Sequence, residues 1–207
     1  EGEKNMPFKL TSIILVSNAE GYQTEENSEY RWDADILQTN DIYLNIEKNK
    51  NYKETEVIKS IVIDNIKIIE EPAVGKIKFY RASNKNNNLF SYEEDYEIKD
   101  KIEYLGSSQT QLEDLKISNQ GCTLLIRAIN ETGKKITSNE EEFKHNGQLL
   151  KKVDVSNEDI KFNVELDISI NLESGISFKA TAPVQLPVGD ILNEGSSNKE
   201  IKELKNN

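Results

Sequence analysis

The chain has very few residues of the types that most catalytic and metal sites require. Its 207 residues include one cysteine, Cys122, and one histidine, His145. No disulfide can form within the chain, and a zinc site would need two carboxylate ligands in addition to these side chains. The sequence leaves open a Cys122–His145 nucleophile pair. We expect instead that Cys122 packs as a small apolar side chain and that His145 is exposed in a charged loop.

Several other absences exclude whole classes of protein. The glycine-rich phosphate-binding motifs and the G-x-S-x-G motif of hydrolases do not occur. No apolar run in these 207 residues is long enough to span a membrane, and no signal-peptide h-region occurs among them, so we expect any anchor or signal to have been in a removed N-terminal segment. Arginine is also scarce, and the net charge is -11. A chain this acidic is a poor partner for double-stranded nucleic acid or for an anionic membrane surface.

The clearest positive feature is the stretch from Ile160 to Pro187. Every even position from Ile160 to Leu172 is apolar and every odd position is polar, and the same parity resumes from Ile176 to Leu186. This period of two predicts two strands that each bury one face. A three-residue loop, Glu173-Ser174-Gly175, keeps both apolar rows on one face, with Gly175 at the positive φ that such a loop requires.

Other segments repeat this pattern more weakly. We expect strands at Phe8 to Ser17, around Ile42 to Ile46, at Thr55 to Glu70 with a bulge at Asp64-Asn65, at Gly75 to Arg81 and at Gly121 to Ile129. Glu131-Thr132-Gly133 is predicted to be a second three-residue hairpin loop, pairing Ala128 with Ile136. Gln23 to Asp35 is predicted to be a polar loop, and Gln148 to Val155 a short strand.

Together these elements predict an all-β, mostly antiparallel fold with little helix. We expect a two-layer, β-sandwich-like architecture, immunoglobulin-like or jelly-roll. The predicted organisation is a polar leader (residues 1–7), a single β domain (8–188) and a polar C-terminal tail (189–207), in which Ser197 to Glu200 could begin a short helix.

Three aromatic residues of the stretch from Tyr22 to Trp32 are the candidate ligand-binding residues. Tyr22, Tyr30 and Trp32 could stack on a sugar ring or a peptide, whereas the ordinary alternative is that Trp32 closes one end of the core.

Carboxylates cluster at Glu93 to Asp95, Glu140 to Glu142 and Asp154 to Asp159. Calcium prefers oxygen ligands, which makes Asp154, Asn157 and Asp159 candidate metal ligands, although the twelve-residue calcium loop is not matched. Solvated loops are the ordinary interpretation of these clusters, and no cofactor other than calcium is suggested.

Four stretches resemble a group of uncharacterised proteins from clostridia and related Gram-positive bacteria. They are M-P-F-K-L-T-S-I-I-L-V-S-N-A-E-G (Met6 to Gly21), N-D-I-Y-L-N-I-E-K-N (Asn40 to Asn49), L-K-I-S-N-Q-G (Leu115 to Gly121) and L-P-V-G-D-I (Leu186 to Ile191). The resemblance spans nearly the whole chain. It implies a membrane anchor in a segment just before Glu1, with the domain projecting outward, and it brings no activity or site residues.

The resulting expectation is a non-catalytic extracytoplasmic β domain, anchored at the bacterial cell surface, that binds a protein or glycan or serves as a structural component. Contact with the membrane is expected only through the anchor. The alternatives from other classes are a carboxylate-dependent enzyme acting on glycans and a calcium-supported carbohydrate-binding module. An enzyme should have two close carboxylates in a cleft, and a sugar-binding module should have exposed aromatic rings.

Overall fold

The computed structural model describes residues 6–27, 31–83, 88–109, 115–138 and 145–202, without the side chains of 23–27, 31, 32 and 138. Its ten strands are β1 (Phe8–Asn27), β2 (Arg31–Lys48), β3 (Ile58–Glu70), β4 (Lys76–Arg81), β5 (Ile102–Gly106), β6 (Lys116–Ile117), β7 (Cys122–Ser138), β8 (Phe162–Leu172), β9 (Ser177–Leu186) and β10 (Ser197–Ile201). The helices are α1 (Asn157–Ile160), α2 (Ile191–Glu194) and two 3-10 helices, Glu94–Tyr96 and Gly147–Val153.

These strands form two five-stranded sheets. Sheet 1 has the order β10-β1-β2-β7-β4, and sheet 2 has the order β6-β5-β3-β8-β9. Every pairing is antiparallel except that of β5 with β6. One core between the sheets takes the inward rows of both, including Ile42, Leu44 and Ile46 from sheet 1 and Ile61 and Ile168 from sheet 2. The predicted all-β, sandwich-like architecture is confirmed.

The hairpin of β8 and β9 has the predicted register. Leu166 lies opposite Ala182, Ile168 lies opposite Ala180, and the Leu172 N–H donates to the Ile176 carbonyl across the three-residue loop. Gly175 in that loop has φ 91°. Hydrogen-bonded pairs fall on even residues, so the N–H groups of odd β9 residues point to the open edge of sheet 2. Pro183 is one of these odd residues. Because proline has no N–H to donate, this edge is less able to pair with an additional strand.

The predicted hairpin at Glu131-Thr132-Gly133 is wrong. The chain runs straight through these residues in β7, where Ala128 pairs with Asn40 and Phe79, and Ile136 pairs with Ala34. Residues 132–134 form a bulge opposite Ile36, whose carbonyl accepts a 2.6 Å hydrogen bond from Thr132 Oγ1. Gly133 has a φ of 72°, and this positive φ is part of the bulge rather than of a hairpin turn.

Two further predictions of local structure are wrong. The predicted polar loop from Gln23 to Asp35 is largely strand, since β1 and β2 remain paired as far as Asn27 and Arg31. The predicted strand from Gln148 to Val155 is a 3-10 helix, begun by an Asn146 side-chain cap and ended by Asp154 in the left-handed conformation.

Both predicted termini contain folded residues. Met6 of the predicted leader is buried in the core between the sheets. The predicted tail contains α2, whose Ile191 and Leu192 are buried, and β10, which pairs with β1. Ser197 to Glu200 therefore lie in a strand rather than at the start of a helix.

A second, smaller core lies where β1 and β2 run past the sandwich. It joins Ala19 and Ile36 to the buried side chains of the helical segments, namely Leu149, Leu150, Val155, Ile160, Ile191 and Leu192. The helical segments therefore cover an inward sheet face that sheet 2 does not reach.

A layer of polar side chains separates the two cores. Asn40 Oδ1 accepts hydrogen bonds from Ser17 Oγ (2.9 Å) and Gln38 Nε2 (3.0 Å), and Asn40 Nδ2 donates to Gln38 Oε1 (2.8 Å) and to the Ala128 carbonyl (3.2 Å). Ser17 Oγ accepts in turn from the Val188 N–H at 2.9 Å. All three side chains are buried with their partners in place, which is the condition for tolerating polar groups in a core.

Replacing Asn40 by leucine should destabilise the fold, because Gln38, Ser17 and the Ala128 carbonyl each lose a partner away from water. We expect a loss of about 1–3 kcal/mol or more in the free energy of unfolding, measured by urea denaturation. Asn45→Leu, at a partly exposed outward position of the same strand, should change it far less. Equal losses in the two variants would contradict the assigned role of the layer.

The outward face of the hairpin should make stability depend on pH. The pKa of Asp167 is lowered by hydrogen bonds from Thr181 Oγ1 (2.5 Å) and Asn65 Nδ2 (2.8 Å) and by Lys179, 3.4 Å away. A lowered folded-state pKa stabilises the protein above the unfolded pKa, and this stabilisation is lost as pH falls through the folded value. The stability advantage of wild type over Asp167→Asn should therefore hold at pH 7 and shrink below about pH 4.

Unfolding midpoints measured from pH 7 to pH 2.5 would check this. Glu165→Gln is the matched control, since Glu165 lies on the same face and its side chain has no partner in the part of the chain that the structure describes. An Asp167→Asn difference that stays constant down to pH 2.5 would contradict the prediction.

Candidate functional site

The outward face of sheet 1 carries an aromatic layer. Leu37 of β2, Tyr80 of β4 and Ile129 of β7 point outward and are nonetheless buried. The segment from Leu89 to Tyr96 covers them, and it contributes Phe90, Tyr92 and Tyr96. An apolar outward row is thus shielded by a local segment rather than by another sheet.

Arg127 fixes this segment to the sheet. It lies directly opposite Asp41 on β2 and Tyr80 on β4. Its Nε and Nη2 donate to the two Asp41 carboxylate oxygens at 2.6 and 3.1 Å, and its Nη1 donates to the Tyr92 hydroxyl at 2.8 Å. The guanidinium also stacks on Phe90, with Cζ 4.0 Å from the ring centre. This bidentate, stacked geometry is available to arginine and not to lysine.

The charge of Arg127 is well compensated. Burial by itself would lower the pKa of Arg127, but the hydrogen bonds and negative charge of Asp41 outweigh this effect and raise it. A second carboxylate, Glu20, accepts a hydrogen bond from the Tyr92 hydroxyl and lies 3.9 Å from Arg127 Nη1. Burial raises the pKa of Tyr92, so its phenol stays protonated and can donate to Glu20.

Tyr92 is the centre of a row of three rings. Its ring packs edge-to-face against Tyr80 at 5.2 Å and against Tyr22 at 5.8 Å between centroids. Tyr22 is half exposed, at 50% of its full surface. The Tyr22–Tyr92 pair, with Tyr22 on β1 and Tyr92 on the covering segment, therefore forms a wall that presents aromatic surface to solvent.

One pocket lies on each side of this wall. The first, here called the acidic pocket, has a volume of about 590 Å³ and includes Glu20, Glu93, Arg127 and His145. The second, here called the lysine pocket, has a volume of about 760 Å³. Leu37, Tyr80 and Ile129 form the floor of this pocket, and the Tyr22–Tyr92 wall forms one side. The charged residues of its lining include Lys76, Lys78 and Lys135. Both volumes lie in the range of small-ligand sites.

The predicted aromatic residues have different outcomes. Tyr22 lines both pockets. Trp32 lies in β2 opposite Ser138, and its side chain is outside the described part of the structure. Tyr30 is also outside the described residues. Tyr22 is thus the member of the predicted set that the structure assigns to a pocket.

The candidate calcium ligands are used in local structure. Asp159 forms a capping box with Ser156 at the start of α1, and these hydrogen bonds lower its pKa. Asn157 donates to Asp190 at 2.8 Å, and Asp154 ends a 3-10 helix. Among the described residues, no group of three or more histidine, cysteine, aspartate or glutamate side chains is arranged to hold a metal ion. The predicted Glu140 to Glu142 cluster lies outside the described residues.

A Cys122–His145 nucleophile pair is ruled out by distance. Cys122 pairs with Ile46 at one end of β2, whereas His145 Nδ1 accepts a hydrogen bond from the Gly21 N–H, and Gly21 pairs with Ile36. Ten residues of β2 separate these positions, which corresponds to roughly 30 Å. Burial also raises the pKa of Cys122 to about 12, which leaves it as a thiol.

The sequence itself contains a signal for the role of Arg127. One of only three arginines in the chain stands inside the apolar run G-C-T-L-L-I-R-A-I. A charged residue at an outward position of a buried strand requires a partner, and Asp41 is that partner. The lysine pocket gave no such signal, because Lys76 and Lys135 come from separate segments.

Arg127→Ala should loosen the covering segment, because it removes both donors to Asp41 and the donor to Tyr92. Arg127 and Asp41 are 16% and 15% exposed, so we expect a loss of about 3 kcal/mol in the free energy of unfolding. Chymotrypsin should then cleave the folded protein after Phe90 or Tyr92 faster than it cleaves wild type. Lys99→Ala, which breaks the exposed pair with Glu94, is the control and should change neither property. Unchanged cleavage in a destabilised Arg127→Ala would contradict the assigned role.

No helix in the described residues is long and apolar enough to cross a membrane. No protein-family model matches the chain, and neither a curated protein nor a solved structure matches it significantly.

Proposed function

We propose that this chain is a non-catalytic domain that binds glycan at the bacterial cell surface, with its site on the outward face of sheet 1. The observation that carries this proposal is the half-exposed ring of Tyr22, which packs on Tyr92 at the border of two pockets. An exposed aromatic ring beside a concave surface suits the apolar face of a sugar ring.

The rigidity of the site supports binding. Tyr22 and Tyr80 belong to paired strands, and Tyr92 is held by Arg127 and Glu20. A ligand that meets rings already in place does not have to order them, which reduces the entropic cost of association. The extracytoplasmic location in this proposal rests on the resemblance to anchored clostridial proteins.

The carboxylates near the site give catalysis less support. Glu20 and Asp41 both contact the single guanidinium of Arg127, so they form an ion-pair network that holds the covering segment. A glycosidase needs two carboxyl groups that flank the scissile bond, whereas Glu20 and Asp41 both face the same guanidinium. We therefore favour binding over hydrolysis.

The edge of sheet 2 gives strand addition less support. Pro183 interrupts the row of outward N–H groups on β9, and Lys179 lies on the same edge strand. Both features are typical of edges protected against pairing with another chain. We therefore place the ligand on the aromatic face of sheet 1 rather than on an edge strand.

Tyr22→Ala should weaken glycan binding by about tenfold, because it removes one ring that stacks on the ligand and leaves the core intact. Native gel electrophoresis in gels containing soluble polysaccharides (hydroxyethylcellulose, xylan, amylopectin, polygalacturonate) would measure this as loss of retardation. Ile69→Ala removes a 58% exposed side chain from the other sheet and is the matched control.

The expected result is retardation of wild type and of Ile69→Ala by at least one of these polymers, and reduced retardation of Tyr22→Ala. Retardation by none of them, or equal retardation of all three proteins, would overturn the proposed function.

A further inference from the structure

The lysine pocket differs in charge from the rest of the molecule. Its lining contains Lys76, Lys78 and Lys135 against Asp35 and Glu131, which leaves a net charge of +1. The whole chain has a net charge of -11. The acidic pocket, on the other side of the Tyr22–Tyr92 wall, contains Glu20, Glu93 and Arg127, so its lining is net negative with His145 neutral. The lysine pocket is thus a locally positive site on an acidic protein.

The three lysines stand around an apolar floor. Lys76 and Lys78 are alternate outward residues of β4, so their Cα atoms are about 7 Å apart at the edge of sheet 1. Lys135 lies on β7 beyond the bulge, directly opposite Asp35 of β2. Glu131 lies between these positions on β7, opposite Lys76 on one side and Leu37 on the other. Ile129 lies opposite Lys78. Leu37 and Ile129 therefore lie beside the charged residues and form the apolar part of the pocket.

The lysines differ in how far their charge is already neutralised. Lys78 Nζ is 3.2 Å from Glu131, whose hydrogen bond and charge raise the pKa of Lys78. Lys135 Nζ is 3.9 Å from Asp35. Lys76 is exposed, and its side chain has no partner among the described residues. Lys76 is therefore the cation most available to an incoming anion.

We propose that the lysine pocket binds the anionic sugar unit of an acidic polysaccharide, a pyranose that carries a carboxylate. The ring lies against the Tyr22–Tyr92 wall over the apolar floor, and the carboxylate faces Lys76. Tyrosine rings and a leucine–isoleucine floor suit the C–H face of a pyranose, and a neutral sugar would leave Lys76 without a partner. This inference rests on the proposed function and adds the charge of the ligand.

The overall negative charge does not oppose such binding at physiological salt. The Debye length there is about 8 Å, so carboxylates elsewhere on the surface are largely screened while lysines in contact with the ligand are not. Binding should consequently weaken as salt rises, which a neutral sugar would not show.

Isothermal titration calorimetry with tetragalacturonate and with neutral maltotetraose would test this inference on wild type, Lys76→Ala, Lys76→Glu and Tyr22→Ala. Lys99→Ala is the matched control, because it removes an exposed lysine that does not line the pocket. Short poly(glycerol phosphate) serves as a polyanion without a sugar ring in the repeat.

We expect tetragalacturonate to bind wild type and Lys99→Ala equally, and more tightly at 20 mM than at 150 mM salt. Lys76→Ala should weaken this binding by about tenfold, and Lys76→Glu should weaken it further. Tyr22→Ala should weaken it as well, and maltotetraose should bind at least tenfold more weakly than tetragalacturonate.

Three outcomes would overturn the inference. If maltotetraose binds as tightly as tetragalacturonate and only Tyr22→Ala weakens it, the site binds neutral glycan, so the proposed function stands and the anionic ligand is wrong. If poly(glycerol phosphate) binds and tetragalacturonate does not, the lysines recognise phosphate and the sugar ring is wrong. If none of the three probes binds, the inference fails, and the polysaccharide gels decide separately whether the proposed function stands.

Discussion

The inward face of β1 and β2 extends beyond the area that sheet 2 covers. The fold depends on how the remaining part of that face is buried. Ser17, Gln38 and Asn40 mark the place where sheet 2 ends and the helical segments begin. Their hydrogen bonds join β1, β2 and the Ala128 carbonyl of β7, and Ser17 also receives the Val188 N–H. An apolar layer here would fill the space equally well, but it would leave the Val188 N–H without its acceptor. The polar layer thus sets the position of the chain that enters α2 and β10.

The same two strands determine where a ligand site can form. The inward-facing residues of these strands pack in one of the two cores. A ligand site can therefore form only from the outward-facing residues. On sheet 1 the outward row is partly apolar, and the Leu89 to Tyr96 segment covers it incompletely. Arg127 holds that segment in place, and what remains uncovered on either side of Tyr92 becomes the two pockets. The aromatic face is exposed because the segment covers it incompletely, and one partly buried ion pair holds that segment in place.

Sequence patterns predicted the β8–β9 hairpin correctly and failed at β7, whose partner strands lie far away in the chain. Glu131-Thr132-Gly133 and Glu173-Ser174-Gly175 look alike, and glycine takes a positive φ in both. In the second, β9 lies at the edge of sheet 2 with β8 as its neighbour, and the predicted hairpin forms. In the first, β7 lies between β2 and β4, and pairing with both is worth more than a local turn. No local pattern carries that information, because β2 and β4 come from other parts of the chain.

The site follows the same rule. Tyr22 was predicted as one of three aromatic residues on a polar loop; that stretch is largely strand, but the ring of Tyr22 is half exposed. Arg127 is visible as a charge within an apolar strand, but Asp41 becomes its partner only through the β2–β7 register. The lysine pocket requires β4, the bulge of β7 and the covering segment to converge, and none of these contacts is local. A positive site in a chain of net charge -11 is consequently hidden from composition. Total charge describes the average surface, whereas recognition depends on the few charges that the sheet register brings together.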